Sequence, residues 1–128
     1  MRALLDTHVL LWWMMDADRL SPQAHALLED GGNELLWSVA SSWEIAIKIR
    51  LDKIRLPNPW AVFLPKALSE QALTTLPIEH AHTLQLVDLP DHHRDPFDRM
   101  LVAQAQVEGL PLVTADNRLR RYEVDILW

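Results

Sequence analysis

Cysteine is absent from the 128 residues, which excludes disulfides and thiolate metal centres. That agrees with a reducing compartment, and the cytoplasm is the expected location. Glycine is nearly absent too: only Gly31, Gly32 and Gly109 occur, so no glycine-rich loop exists to cradle phosphates. No apolar run approaches the ~18 residues that a membrane-spanning helix needs. The densest stretch, Val9 to Met15, follows Asp6 and His8 without a basic leader and reads as a buried helix, not as a secretory signal. Positive charge is in deficit, with 12 basic against 18 acidic residues and a net charge of −6. A nucleic-acid binder normally shows the opposite balance. The deficit is weaker evidence than the count suggests, because the bases cluster at Lys48, Arg50, Lys53 and Arg55 and again at Arg118, Arg120 and Arg121. Acids gathered around a bound cation, moreover, do not act with their formal charge.

Apolar residues, by contrast, make up 49% of the chain, enough for one core and one domain over residues 1–128. Proline and glycine fall at short breaks, among them Gly31-Gly32, Pro57-Asn58-Pro59, Pro90 and Gly109, and no repeat or linker divides the chain. Between the breaks the pattern predicts strands alternating with helices. Strands are expected at Ala3–Leu5, Leu35–Trp37, Leu76–Ile78, Leu112–Thr114 and Val124–Leu127. Helices are expected from His8, from Pro22 with Ser21 as cap, from Ser38 to about Leu51, over Trp60–Ala72, over Glu79–Val87, and from Pro96 to Glu108. Such alternation implies an α/β domain with a mainly parallel sheet flanked by helices.

Acids stand at the strand-to-helix junctions of this scheme. Asp6 directly follows the first strand, and Asp116 follows the strand at Leu112–Thr114. Glu44 lies early in the helix leaving the second strand, and Asp95 and Asp98 lie at the start of the helix opening at Pro96. Ligands of open α/β sheets bind beyond the carboxyl ends of the strands. Several ionised carboxylates close together repel, and a hard divalent cation removes the conflict. Mg²⁺ or Mn²⁺ held there would make a bound water more acidic and stabilise charge on a phosphoryl group. No Ser/His/Asp order, cysteine nucleophile or phosphate loop offers competing chemistry.

Each acid also has a structural use that competes with a ligand role. Asp6 and Thr7 suit a helix cap, Glu44 suits a capping box with Ser41 or an i,i+4 pair with Lys48, and Asp116 suits a turn before Asn117. Asp95 reads as the N-cap ahead of Pro96, whereas Asp98, one turn on, reads as a ligand. The histidine pairs His80/His82 and His92/His93 read as solvated or structural, with no cysteine to complete a zinc set. The six tryptophans belong mostly to the core, and the apolar surplus around Trp12-Trp13 points to a partner surface.

Four segments, in order, resemble PIN-domain proteins, most closely the VapC-type toxins: Leu4-Leu5-Asp6-Thr7-His8, Ser38 to Lys48 around Trp43-Glu44, His93 to Ala105 around Asp95-Pro96-Phe97-Asp98, and Thr114-Ala115-Asp116. The resemblance spans essentially the whole chain. It implies a PIN-like three-layer sandwich and a Mg²⁺-dependent endoribonuclease, with Mn²⁺ as an alternative ion. It also implies a homodimer neutralised by a cognate antitoxin. Its acidic quartet falls on Asp6, Glu44, Asp98 and Asp116, with Asp95 and Thr114 accessory. Lys48, Arg50, Arg118, Arg120 and Arg121 are candidates for holding RNA. Asp52 departs from the pattern, standing where many relatives carry glycine at a helix end. The alternatives are a catalytically inactive PIN-like module that binds RNA or protein, and a signalling receiver domain. The receiver is excluded because Asp6 stands alone after its strand and no lysine follows Lys66.

Overall fold

A computed structural model describes all residues, 1–128. Five short strands form one sheet: β1 (Arg2–Leu5), β2 (Glu34–Ser38), β3 (Thr74–Leu76), β4 (Leu112–Val113) and β5 (Ile126–Leu127). Their order is β3-β2-β1-β4-β5, and every pairing is parallel. Six helices connect and cover them: α1 (Thr7–Met15), α2 (Pro22–Glu29), α3 (Val39–Arg50), α4 (Trp60–Glu70), α5 (His80–Val87) and α6 (Pro96–Glu108). A 3-10 turn, Ala17–Arg19, follows α1, and another, Asn117–Arg121, follows β4.

Strand alternation produces the three layers. Ala3, Leu5, Leu35, Trp37 and Val113 face a core shared with α1, α2, α3 and α4. Leu4, Leu36 and Leu112 point the other way, into a core built with Leu101, Val102 and Ala105 of α6 and with Leu119 and Tyr122. Because both faces are covered, the central strands are apolar on both sides, as parallel sheets require. The three-layer sandwich expected from the sequence is thus present.

Strand order reverses at β1, which has β2 on one side and β4 on the other. The crevice at such a reversal is where open parallel sheets place their ligands. The chain leaving β1 begins at Asp6, and the chain leaving β4 reaches Asp116 three residues after Val113.

Boundaries differ from expectation where the apolar pattern was a poor guide. The third strand is Thr74–Leu76, not Leu76–Ile78. Pro77 has no N–H to give to a ladder, while the β-branched Thr74 and Thr75 serve on the sheet edge despite their polarity. β4 and β5 are shorter than expected; the Thr114 hydroxyl serves the site described below.

Two helices end at non-glycine residues in the left-handed region: Asp52 (φ 57°) after α3 and Ala72 (φ 49°) after α4. Both ends are closed by paired bonds of the Schellman type. Asp52 N–H donates to Ile49 O at 3.0 Å and Lys53 N–H to Lys48 O at 2.8 Å, while Ala72 and Leu73 bond Ser69 and Leu68 in the same way. A side chain in this conformation costs roughly 1–2 kcal/mol, partly offset by glycine's greater entropy when unfolded. The exposed Asp52–Arg55 pair at 3.2 Å contributes little against this. Asp52→Gly and Ala72→Gly are each expected to raise the unfolding free energy by up to about 1 kcal/mol. Urea titration checks this; a loss in both variants would show that the strain is not there.

Candidate metal and nuclease site

An open cleft of about 830 Å³ lies over the carboxyl ends of β1 and β4, bordered by Asp6, Glu44, Asp95, Asp98 and Asp116. All five acids singled out in the sequence therefore meet in one place.

Asp6 occupies the N-cap position of α1, yet its carboxylate makes no capping bond. Instead the residue is buried, Oδ2 accepts from Thr114 Oγ1 at 2.7 Å, and Oδ1 has no hydrogen-bond partner. Burial is the main cause of its raised pKa, with the Glu44 charge adding to it. The capping explanation thus fails for this residue. Thr114 also accepts from Asp116 N–H at 3.0 Å, so one buried hydroxyl ties the exit of β4 to the exit of β1.

Glu44 is buried on α3, where Ser38, not Ser41, supplies the cap, its Oγ accepting from Ala40 N–H. Lys48 Nζ donates to Glu44 Oε2 at 2.6 Å. Thr7 Oγ1 lies 2.7 Å from Glu44 Oε1 and 2.8 Å from Ser41 Oγ; its single proton goes to the carboxylate, which leaves the Ser41 hydroxyl to donate to Thr7. Burial works against the Lys48 charge, but the bond and charge of Glu44 outweigh it and hold the ammonium above its ordinary pKa.

At the start of α6, Asp95 caps as expected, Oδ1 accepting from Phe97 N–H at 2.8 Å and Asp98 N–H at 3.1 Å. Asp98 projects among the other acids. Burial first, then the charges of Asp6, Asp95, Glu44 and Asp116, push its carboxyl up to about 8. Asp116 moves the other way. Burial raises it, but hydrogen bonds from the side chain and backbone of Arg118 and from His93 prevail and hold it below the usual carboxylate range. Its turn-forming role is real as well, since Oδ1 accepts from Arg118 N–H at 2.9 Å.

The basic candidates divide. Lys48 and Arg118 border the cleft; Arg50, Arg120 and Arg121 do not. Arg120 reaches Asn117 at 3.3 Å, and Arg121 borders a separate depression with Asp88 and Glu123. Arg19 and Arg94 line the cleft instead. Arg19 gets there because the 3-10 turn folds back until its guanidinium lies 4.7 Å over the Trp12 ring, a long-range consequence that no local pattern announces. The Trp12-Trp13 pair, read as the seat of a partner surface, is only partly exposed. Both rings are half-buried, Trp12 against Trp128 and Trp13 bonded to Glu29 at 2.9 Å, while the exposed tryptophan is Trp43, 59% accessible and edge-on to Phe97.

Of the histidines, His82 is structural as expected, fully buried and bonded to Glu79 N–H and Glu108. His93 is not peripheral. It is buried, with Nε2 at 3.1 Å from Asp116 Oδ2 and 3.2 Å from Asp98 Oδ2. Adjacency to Arg94-Asp95-Pro96 was the only sequence clue to it.

A buried carboxylate oxygen with no donor and a second acid held protonated near neutral pH are what this donor set shows without a cation. Hard oxygen ligands of this kind suit Mg²⁺ or Mn²⁺. A parallel α/β sandwich with carboxylates converging at its switch point defines the class.

The PIN-domain family model matches residues 3–125, and the chain belongs to that family. Among curated relatives, ribonuclease VapC22 of Mycobacterium tuberculosis is 35% identical over 120 residues, which is 93% of this chain and 90% of that one. Among solved structures, VapBC2 of Rickettsia felis bound to a promoter DNA fragment superposes with a TM-score of 0.74 at 16% identity, covering 98% of this chain and 97% of that chain. FitAcB of Neisseria gonorrhoeae superposes at 0.65 with 19% identity, covering 98% and 96%. At these identities the superpositions speak for the fold.

Proposed function

We propose that this protein is a metal-dependent endoribonuclease, the toxin of a toxin–antitoxin pair, which hydrolyses RNA phosphodiester bonds. The observation that carries the reading is the buried Asp6, whose Oδ1 has no hydrogen-bond partner, on the border of a cleft that four further carboxylates share. The ribonuclease name of the VapC22 relative supports the substrate class. Asp6, Glu44, Asp98 and Asp116 would hold Mg²⁺ or Mn²⁺, with Thr114 and Asp95 setting the positions of Asp6 and Asp98. Bound there, the ion supplies a more acidic water and positive charge beside the phosphoryl oxygens.

The remaining work falls to the chain's own side chains. Thr114 holds Asp6 through its hydroxyl, and Thr7 holds Glu44. Lys48 stays charged and sits where a phosphate oxygen near Glu44 would meet it, while Arg118, Arg19 and Arg94 border the path of the flanking backbone. Four cationic side chains lining one cleft answer the objection raised by the net charge. For partners, a toxin–antitoxin complex from Klebsiella pneumoniae also superposes on the chain, with a TM-score of 0.62 at 19% identity, and we extend an antitoxin to this chain. We extend a homodimer to it as well, with Val39 and Trp43, exposed one turn apart on α3, as its contact surface.

Purified protein incubated with total RNA tests the reading. Discrete fragments are expected with Mg²⁺ or Mn²⁺ and none with EDTA. No cleavage with either ion, in a preparation shown by mass spectrometry to be free of antitoxin, would replace the nuclease with an inactive binding module.

A further inference from the structure

We propose that His93 is a hydrogen-bond donor that sets the spacing of Asp98 and Asp116, and that it does not itself ligate the metal. The inference rests on the metal-site reading above and adds a residue that positions two of its ligands. A cluster of one imidazole and two carboxylates whose ligand atoms lie within 4.8 Å of one another invites the opposite assignment, with His93 Nε2 on the ion. The other ring nitrogen decides against it.

Nδ1 lies 3.0 Å from the backbone nitrogen of Asp95, which has only a proton to give. Nδ1 is therefore the acceptor and carries no proton, which leaves the proton of the neutral ring on Nε2. That proton goes to Asp116 Oδ2 at 3.1 Å, and Asp98 Oδ2 lies 3.2 Å from the same nitrogen. Ligation through Nε2 would move the proton to Nδ1, where it would point at the Asp95 N–H. The same Asp95 closes the N-terminus of α6, so turning the ring away leaves that N–H unpaired at a half-buried helix end.

The loop is braced against such a turn. His93 N–H donates to the Tyr122 hydroxyl at 2.9 Å, and the Arg99 guanidinium bonds the carbonyls of Pro90 at 2.9 Å and Leu89 at 3.2 Å. Asp98 comes from α6 and Asp116 from the loop after β4, and their oxygens meet across one ring nitrogen. A metal-ligating histidine usually passes its second N–H outward to a carbonyl or carboxylate. Here the second nitrogen receives an N–H instead.

Three measurements test this. In the metal-free protein, long-range ¹H–¹⁵N correlation is expected to show His93 as the Nε2–H tautomer; an Nδ1–H ring would overturn the proposal. Pulsed EPR of the Mn²⁺-loaded protein is expected to show no directly bound histidine nitrogen, and a strong nitrogen coupling that disappears in His93→Gln would overturn it. Gln places its amide N–H near the position of Nε2, so Mn²⁺ affinity in His93→Gln should stay within about threefold, whereas His93→Leu should lose roughly 10–100-fold. Equal affinity in the wild-type and Leu proteins would remove the positioning role, and if His93→Leu fails to fold, the first two measurements on wild-type protein decide. A wild-type chain that binds no Mn²⁺ would sink the metal centre itself, a result distinguishable from bound Mn²⁺ carrying a histidine nitrogen.

Discussion

Asp6→Asn is expected to lower RNA cleavage by about three orders of magnitude or more while leaving a protein that melts no lower than the wild type in EDTA. The substitution is nearly isosteric, and the amide oxygen still accepts from Thr114 Oγ1, which holds Asp6 Oδ2 at 2.7 Å. What is lost is the charge, at the one acid that combines burial with an oxygen lacking any partner. Two neighbouring acids are already engaged. Glu44 is committed to Thr7 and Lys48, and Asp116 to Arg118 and His93. Stability should not suffer, because burial already disfavours the Asp6 carboxylate in the metal-free fold and Asn removes that cost. The two readouts, cleavage rate and melting temperature, separate a chemical role from a structural one. Cleavage within tenfold of wild type would remove Asp6 from the mechanism; lost cleavage with a collapsed melting temperature would mean that its role is structural.

How much of this site was legible in the sequence depended on how local each cause was. The acids could be placed because a parallel sheet delivers the ends of its strands to one edge, and Asp6 and Asp116 stand at such ends. The Asp95 cap could be read because Asp-Pro-x-Asp carries its own hydrogen-bond logic, and both expected bonds are present. β3 was displaced because an edge strand needs no apolar face and Pro77 blurs its end. Arg19, Arg94 and His93 were missed because their positions depend on how a 3-10 turn and a short loop fold over the cleft. Arg50, two residues after Lys48 on α3, was grouped with it but does not border the cleft. Two residues is about 200° around a helix, so only one of the two faces the cleft. Clustering in sequence is therefore a poor guide to clustering in space on a helix.

In EDTA the protein is expected to lose stability as pH rises from 6 to 8, and Asp98→Asn to abolish most of that loss. Asp98 titrates at about 8 in the folded protein and near 4 in an unfolded chain. Between these values the native state holds a proton that the unfolded state has released, so stability falls as pH rises. The contribution is fully present below about pH 4 and is gone once the pH has passed about 8. The cause is burial among like charges, and it should be worth on the order of 2 kcal/mol between pH 6 and 8, or roughly 5–10 °C in melting temperature. Asp6, raised for the same reason, adds in the same direction, whereas Asp116 is lowered and affects only the acid end. A divalent cation replaces the proton as the partner of these carboxylates, so saturating Mg²⁺ or Mn²⁺ should restore the melting temperature at pH 8, and metal affinity should strengthen with pH. Melting curves at half-unit pH steps, with EDTA and with metal, check each part. If the wild type melts at the same temperature from pH 6 to 8 in EDTA, Asp98 is already ionised at pH 6, and its neighbours must then lie farther away or be better screened than the burial and hydrogen bonding of the cleft imply.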